Sequence, residues 1–114
     1  MKIGFIGLGN MGASLAKTVW QANRTDKFLL SNLSQDRVDD FIASYGGQVS
    51  SNEEIFAEAD VIFLGVKPAQ VSTLLAESQD ILEKRESLLL ISMAAGITLE
   101  KLASLVPSQH RFIR

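Results

Sequence analysis

The sequence predicts an α/β domain built on a doubly wound, mostly parallel sheet. Three observations carry that expectation. Short apolar runs with β-branched and aromatic members recur along the chain, and stretches with apolar residues at helical spacing alternate with them. The first run passes through three closely spaced glycines directly into a helical pattern. In all, the pattern reads as six strands separated by five helical segments, the alternation that strand–helix–strand units produce.

The first strand is Lys2 to Ile6, apolar enough to be buried on both faces. It runs into Gly7-Leu8-Gly9-Asn10-Met11-Gly12, a G-x-G-x-x-G spacing, and then into a helix expected from Asn10 to Ala22. Met11, Leu15 and Val19 form the inward stripe of that helix, with Ala16 and Trp20 packing beside it. Each glycine has a mechanical role. Gly7 permits the tight turn, Gly9 lets backbone approach a pyrophosphate, and Gly12 lets the helix pack close to the strand. The helix start adds free N–H groups and about half a positive charge. A glycine-rich turn alone is a weak signal. With a strand before it and a helix after it, the stretch predicts a dinucleotide site of the Rossmann type rather than a purely structural turn.

Asn23 to Asp26 reads as a loop and Lys27 to Ser31 as the second strand. The tip of this strand bears on the cofactor, because an acid about twenty residues beyond the glycines would take the ribose 2′-hydroxyl of NAD. The strand ends instead in Ser31-Asn32-Leu33-Ser34-Gln35-Asp36-Arg37, with no acid at its tip, and Asp26 lies at the wrong end. Ser31, Asn32 and Ser34 offer hydroxyl and amide groups, and Arg37 falls in the first turn of the next helix if Ser34 caps it. That arrangement suits a 2′-phosphate, so NADPH is expected over NADH. Asp36 opposes this reading. In the alternative, Asp36 simply favours the helix dipole and Arg37 is a solvated charge.

The second helix, Gln35 to Tyr45, carries Val38, Phe41, Ile42 and Tyr45 on one face and stops at Gly46-Gly47. Gln48 to Ser50 is a short third strand. Ser51 and Glu54 have capping-box spacing, opening a helix through Ala59. Asn52 belongs either to that cap or to the adenine side of a cofactor. Asp60 to Val66 is the fourth strand, and Pro68 starts one helix carrying Val71, Leu74, Leu75, Ile81 and Leu82. The carboxyl ends of the first and fourth strands flank the switch point of such a sheet, which places Val66, Lys67 and Pro68 at the nicotinamide half. Lys67 reads better as a solvated lysine lining the cleft than as a catalytic donor. Leu88 to Ser92 is the fifth strand. The small residues of Met93-Ala94-Ala95-Gly96-Ile97-Thr98 would let a ring approach the backbone, although alone they read as an ordinary loop. Thr98 is expected to cap a helix to Ser104, Pro107 ends that segment, and Arg111 to Arg114 is the sixth strand. His110 is the only histidine and, without an acid or nucleophile partner, is expected at the surface.

Bulk composition excludes other classes. At 114 residues the chain is one domain, burying roughly 65% of its unfolded surface. Hydrophobic content of 46% and charged content of 21% are ordinary for a globular protein. A net charge of −2 without a basic stripe argues against nucleic acid. The absence of cysteine removes disulfides, thiolate metal sites and cysteine nucleophiles, and no metal is expected. The apolar runs Val61 to Val66 and Leu88 to Ile91 are too short to span a bilayer, and no signal peptide is visible. A cytoplasmic protein with no membrane partner is expected.

Gly4–Gly12 (GFIGLGNMG), Ala59–Pro68 (ADVIFLGVKP) and Ser92–Thr98 (SMAAGIT) together resemble the 1-pyrroline-5-carboxylate reductase family over the whole chain. The 3-hydroxyisobutyrate and 6-phosphogluconate dehydrogenases are similar in GLGNMG alone. The resemblance implies that residues 1–114 are the amino-terminal NAD(P)-binding domain. It places cofactor contacts at Ile6 to Met11, Ser31, Asn52, Gly65 to Pro68, and Ala94, Ala95 and Gly96. The implied reaction is hydride transfer from nicotinamide C4 to the imine of pyrroline-5-carboxylate, giving L-proline. It further implies a carboxyl-terminal helical domain, absent from this chain, that forms a homo-oligomer and supplies the catalytic hydroxyl. No residue here is then catalytic, and the chain alone is expected to be inactive. One departure is Leu33, where many members place Arg, so a 2′-phosphate grip would rest on Ser34 and Arg37. A related hydroxyacid dehydrogenase and a free-standing nucleotide-binding module are the alternatives.

Overall fold

A computed structural model describes residues 1–22, 27–93 and 99–113. Strands and helices alternate in it as β1 (Lys2–Ile6), α1 (Asn10–Ala22), β2 (Lys27–Ser31), α2 (Gln35–Ser44), β3 (Gln48–Val49), α3 (Asn52–Glu58), β4 (Val61–Leu64), α4 (Pro68–Glu77), α5 (Gln79–Lys84), β5 (Leu89–Ser92), α6 (Leu99–Leu105) and β6 (Arg111–Ile113). The six strands form one sheet in the order β3-β2-β1-β4-β5-β6, every pair parallel. The chain order reverses direction between β1 and β4, so the doubly wound expectation holds and the switch point falls beside the glycine turn.

Both faces of the sheet are covered, which is why its strands are apolar throughout. Alternate residues serve alternate faces. Ile3, Phe5, Phe28 and Leu30 pack with Ala16, Val38 and Phe41 of α1 and α2, while Ile6, Leu29, Ile62 and Leu64 pack with Ile55, Val71 and Leu75 of α3 and α4. Phe5 lies between Phe28 and Phe63, at centroid distances of 5.4 and 4.5 Å, joining the three central strands. Trp20 sits edge-on to Phe28 and is a packing residue, as its position in the helix predicts. The capping box of α3 is also present, with Glu54 N–H donating to Ser51 Oγ (3.1 Å) and Ser51 N–H to Glu54 Oε1 (3.4 Å). Ser51→Ala is expected to lower stability by about 1 kcal/mol, read as a fall in thermal midpoint.

Two expectations are corrected. The single helix after Pro68 is two, broken at Ser78, so six helices stand among the described residues where the sequence predicts five segments. Ser78 N–H is shared between the Leu74 and Leu75 carbonyls, and Gln79 Nε2 donates to Leu75 O and across to Leu105 O. A side chain thus takes up the Leu75 carbonyl at the break and one at the end of α6, which apolar periodicity does not reveal. His110 is not at the surface: it is 4% exposed, accepting from Leu88 N–H at Nδ1 (3.1 Å) with Nε2 2.6 Å from Leu82 O. Strand ends also differ slightly. Gly65 and Val66 lie beyond β4, in the turn before α4. The loop reading of Asn23 to Asp26 and the Thr98 cap lie outside the described residues.

Beneath the sheet, Arg85 Nη1 donates to Phe56 O (2.7 Å). Partial burial lowers its pKa from the usual arginine value, against the raising pull of Asp60 and Glu86.

Candidate dinucleotide-binding site

The site grows from the carboxyl end of β1. Gly7 N–H donates to Ser31 O and Gly65 N–H to Ile6 O, both at 2.8 Å, which carries the sheet's ladder one residue past the strands on either side. Gly7 then turns with φ +98°, and a Cβ there would lie 2.5 Å from Gly65 O. Its own carbonyl is boxed in: a Cβ at Gly12 would meet Gly7 O at 2.6 Å, and one at Gly65 would meet it at 2.7 Å. Three glycines are therefore required by packing alone.

Gly9 is different. Among the described residues a Cβ built there meets no atom within 4 Å, and its φ is not in the left-handed region. Among the described residues neither packing nor conformation requires a glycine at this position, which leaves the backbone open to close approach.

Gly9 faces a cleft of about 490 Å³. Ile6, Gly7, Ser31, Asn32, Asn52, Gly65, Val66 and Lys67, all expected site residues, line the same cleft. Pro68 follows Lys67 directly as the first residue of α4, fixing its first turn. Ser31 Oγ donates to Asn52 Oδ1 (2.6 Å), so Asn52 belongs to the cleft wall and is not the cap, which is Ser51.

The remaining expected residues are more dispersed. Leu8 and Arg37 line a neighbouring groove of about 340 Å³ between α1 and α2, not the cleft itself. Ser34 occupies the N-cap position of α2 but its side chain makes no capping hydrogen bond, contrary to expectation. Asn10 and Met11 form the first turn of α1 with Gly12. Ala94, Ala95 and Gly96 lie outside the described residues.

Further cleft residues come from α4: Gln70, Thr73, Leu74 and Glu77 extend the wall begun by Lys67. The i, i+3, i+7, i+10 spacing of residues 67, 70, 74 and 77 is visible in the sequence, but Leu74 reads there simply as core. Leu33, 90% exposed, forms the rim at the β2 tip. Among the described residues no helix is long and apolar enough to cross a membrane.

A six-stranded parallel sheet of this order, with a glycine-walled cleft at its switch point, defines the Rossmann class of α/β domains. Within that class the chain belongs to the family described as "NADP oxidoreductase coenzyme F420-dependent", which matches residues 2–96. It is 38% identical over 119 residues to the pyrroline-5-carboxylate reductase of Arabidopsis thaliana, covering 99% of this chain and 41% of that protein. It is similar in structure to a pyrroline-5-carboxylate reductase from Coxiella burnetii, with a TM-score of 0.85 and 29% identity over 96% of this chain and 41% of that one. A Plasmodium falciparum pyrroline carboxylate reductase with NADP bound superposes with a TM-score of 0.77 and 30% identity, covering 98% of this chain and 40% of that one. The chain thus spans about two fifths of the length of the relatives it matches.

Proposed function

We propose that this chain is the cofactor-binding part of a pyrroline-5-carboxylate reductase and that it binds NADPH in the cleft at the β1–β4 switch point. The observation that carries the proposal is Gly9, whose missing side chain faces the cleft and has no packing reason. The pyrophosphate would lie on the Gly9 backbone and the start of α1, where N–H groups and the helix dipole favour negative charge. Ser34 and Arg37 at the β2–α2 junction would take the 2′-phosphate, with Ser31 and Asn52 on the adenosine side. Val66, Lys67 and Pro68 would border the nicotinamide half. The NADP-bound Plasmodium relative and the family description support this cofactor.

Bound NADPH supplies the hydride, and an imine is already a good electrophile. The protein's task is then to hold donor and acceptor carbons about 3–3.5 Å apart and keep water out. Lys67, the one cationic side chain lining the described cleft, reads as a solvated lysine rather than as the proton donor. We therefore assign substrate closure and the catalytic hydroxyl to a further helical domain of a homo-oligomeric, cytoplasmic enzyme, consistent with the length of the relatives.

The test is a calorimetric titration of the chain with NADPH and NADH in parallel. Binding of NADPH at least about tenfold tighter than NADH, a difference of about 1.4 kcal/mol, is expected, with no proline formed from pyrroline-5-carboxylate. A folded chain that binds neither nucleotide refutes the proposal, and turnover by the chain alone refutes the division of labour.

A further inference from the structure

The middle residue of the Gly7-Leu8-Gly9 turn is held on both of its backbone polar groups by side chains from the β2–α2 segment. Leu8 N–H donates to Asn32 Oδ1 at 2.8 Å, and Arg37 Nη1 donates to Leu8 O at 3.2 Å. The Asn32 amide is itself oriented, because Nδ2 donates to Ser34 O at 3.1 Å while Oδ1 faces an N–H. The Leu8 side chain is 1% exposed in the core beneath α1 and α2. Leu8 is thus anchored three ways, and two of the anchors come from residues 24 and 29 positions away.

The consequence lies one peptide further on. The Leu8–Gly9 peptide is not cis, so its C=O and N–H point in opposite directions. Arg37 draws the C=O toward the α1–α2 groove, and Gly9 lines the cleft on the other side of the turn. The N–H of Gly9, opposed to that carbonyl, therefore points away from Arg37. We propose that Asn32 and Arg37 form a clamp on Leu8 that sets this peptide for pyrophosphate binding, so that Arg37 is a positioning residue for both cofactors besides any contact with a 2′-phosphate. A residue that served only the 2′-phosphate would leave NADH binding untouched when removed. This one does not, because releasing the Leu8 carbonyl lets the peptide turn over and present an oxygen where an anion must sit.

The inference rests on the functional reading above, and the experiment separates the two. NADH and NADPH affinities are measured by calorimetry for the wild-type chain, Arg37→Ala and Arg37→Lys, at about 0.05 M and about 0.5 M KCl. Arg37→Ala is expected to weaken NADH about five- to tenfold, the loss of one charged hydrogen bond discounted for exposure, and to weaken NADPH further. The NADH loss should be the same at both salt concentrations, since the bond is to a carbonyl and not to the ligand's charge. Lysine, which keeps a donor long enough to reach Leu8 O, should restore NADH affinity to within about twofold. Unchanged NADH binding in Arg37→Ala overturns the clamp, and so does a loss that disappears at high salt, which would mark a direct charge contact. Failure of the wild-type chain to bind either nucleotide would instead remove the functional reading, and the clamp's purpose with it.

Discussion

Gly9→Ala is expected to weaken NADPH binding at least about tenfold while leaving the thermal midpoint nearly unchanged. The added methyl meets no described atom, so folding is expected to cost less than about 0.5 kcal/mol. In the complex it would stand where the pyrophosphate approaches, and forcing a methyl group into a packed contact costs about 1–3 kcal/mol. Gly7→Ala makes the opposite prediction. Its φ of +98° and the 2.5 Å approach to Gly65 O act together against any side chain. Backbone strain of about 1–2 kcal/mol and overpacking of similar size sum to about 2–4 kcal/mol of stability, a large part of a domain's usual total of about 5–15 kcal/mol. Thermal unfolding and calorimetry on the two variants check both. Equal loss of stability in each would mean that Gly9, too, is only a packing glycine. Full affinity in Gly9→Ala would mean that the pyrophosphate lies elsewhere.

His110→Ala should destabilise the domain by about 2–3 kcal/mol, although it lies far in sequence from every cofactor residue. The imidazole accepts from Leu88 N–H just before β5 and meets Leu82 O near the end of α5, which fits the neutral ring protonated at Nε2. Alanine leaves the Leu88 N–H buried without its acceptor, at about 1–3 kcal/mol, and adds a small cavity. The Leu82 carbonyl is less affected because Gln109 Nε2 also donates to it at 3.1 Å. For a chain of this length the expected fall in thermal midpoint is on the order of 10 °C. A fall under about 2 °C would show that water replaces the ring. The two predictions test opposite faces of the molecule: Gly9 concerns the ligand end of the sheet, and His110 the joint that holds β5 and α5 together.

Much of the fold was legible because its signals are local. The buried strand Lys2–Ile6, the glycine turn and the amphipathic α1 lie within about two dozen consecutive residues, and their periods differ enough to be told apart. The Ser51–Glu54 box is likewise complete within four residues. Nine expected site residues meet in one cleft because they lie at the ends of β1, β2 and β4 or the starts of α3 and α4, and a doubly wound sheet gathers those ends on one side. The break at Ser78 was not legible. The apolar positions continue across it, and the Gln79 contact that accommodates it reaches 26 residues away to Leu105.

By itself, then, the sequence determined that this chain forms alternating strands and helices with a glycine turn at the head of the first βα unit, because period, capping and turn chemistry act over a few residues. Only the tertiary structure decided what each residue is for. Gly12 and Gly65 press on the Gly7 carbonyl and Gly7 on that of Gly65, whereas Gly9 lines the cleft, and no spacing rule distinguishes them. A lone histidine is buried because two backbone groups from other elements meet its ring, and Arg37 reaches back 29 residues to Leu8. The physical reason is the same in each case. Burial and hydrogen-bond partnership belong to pairs of groups that folding brings together, and a pair distant in sequence leaves no mark on the local pattern of either member.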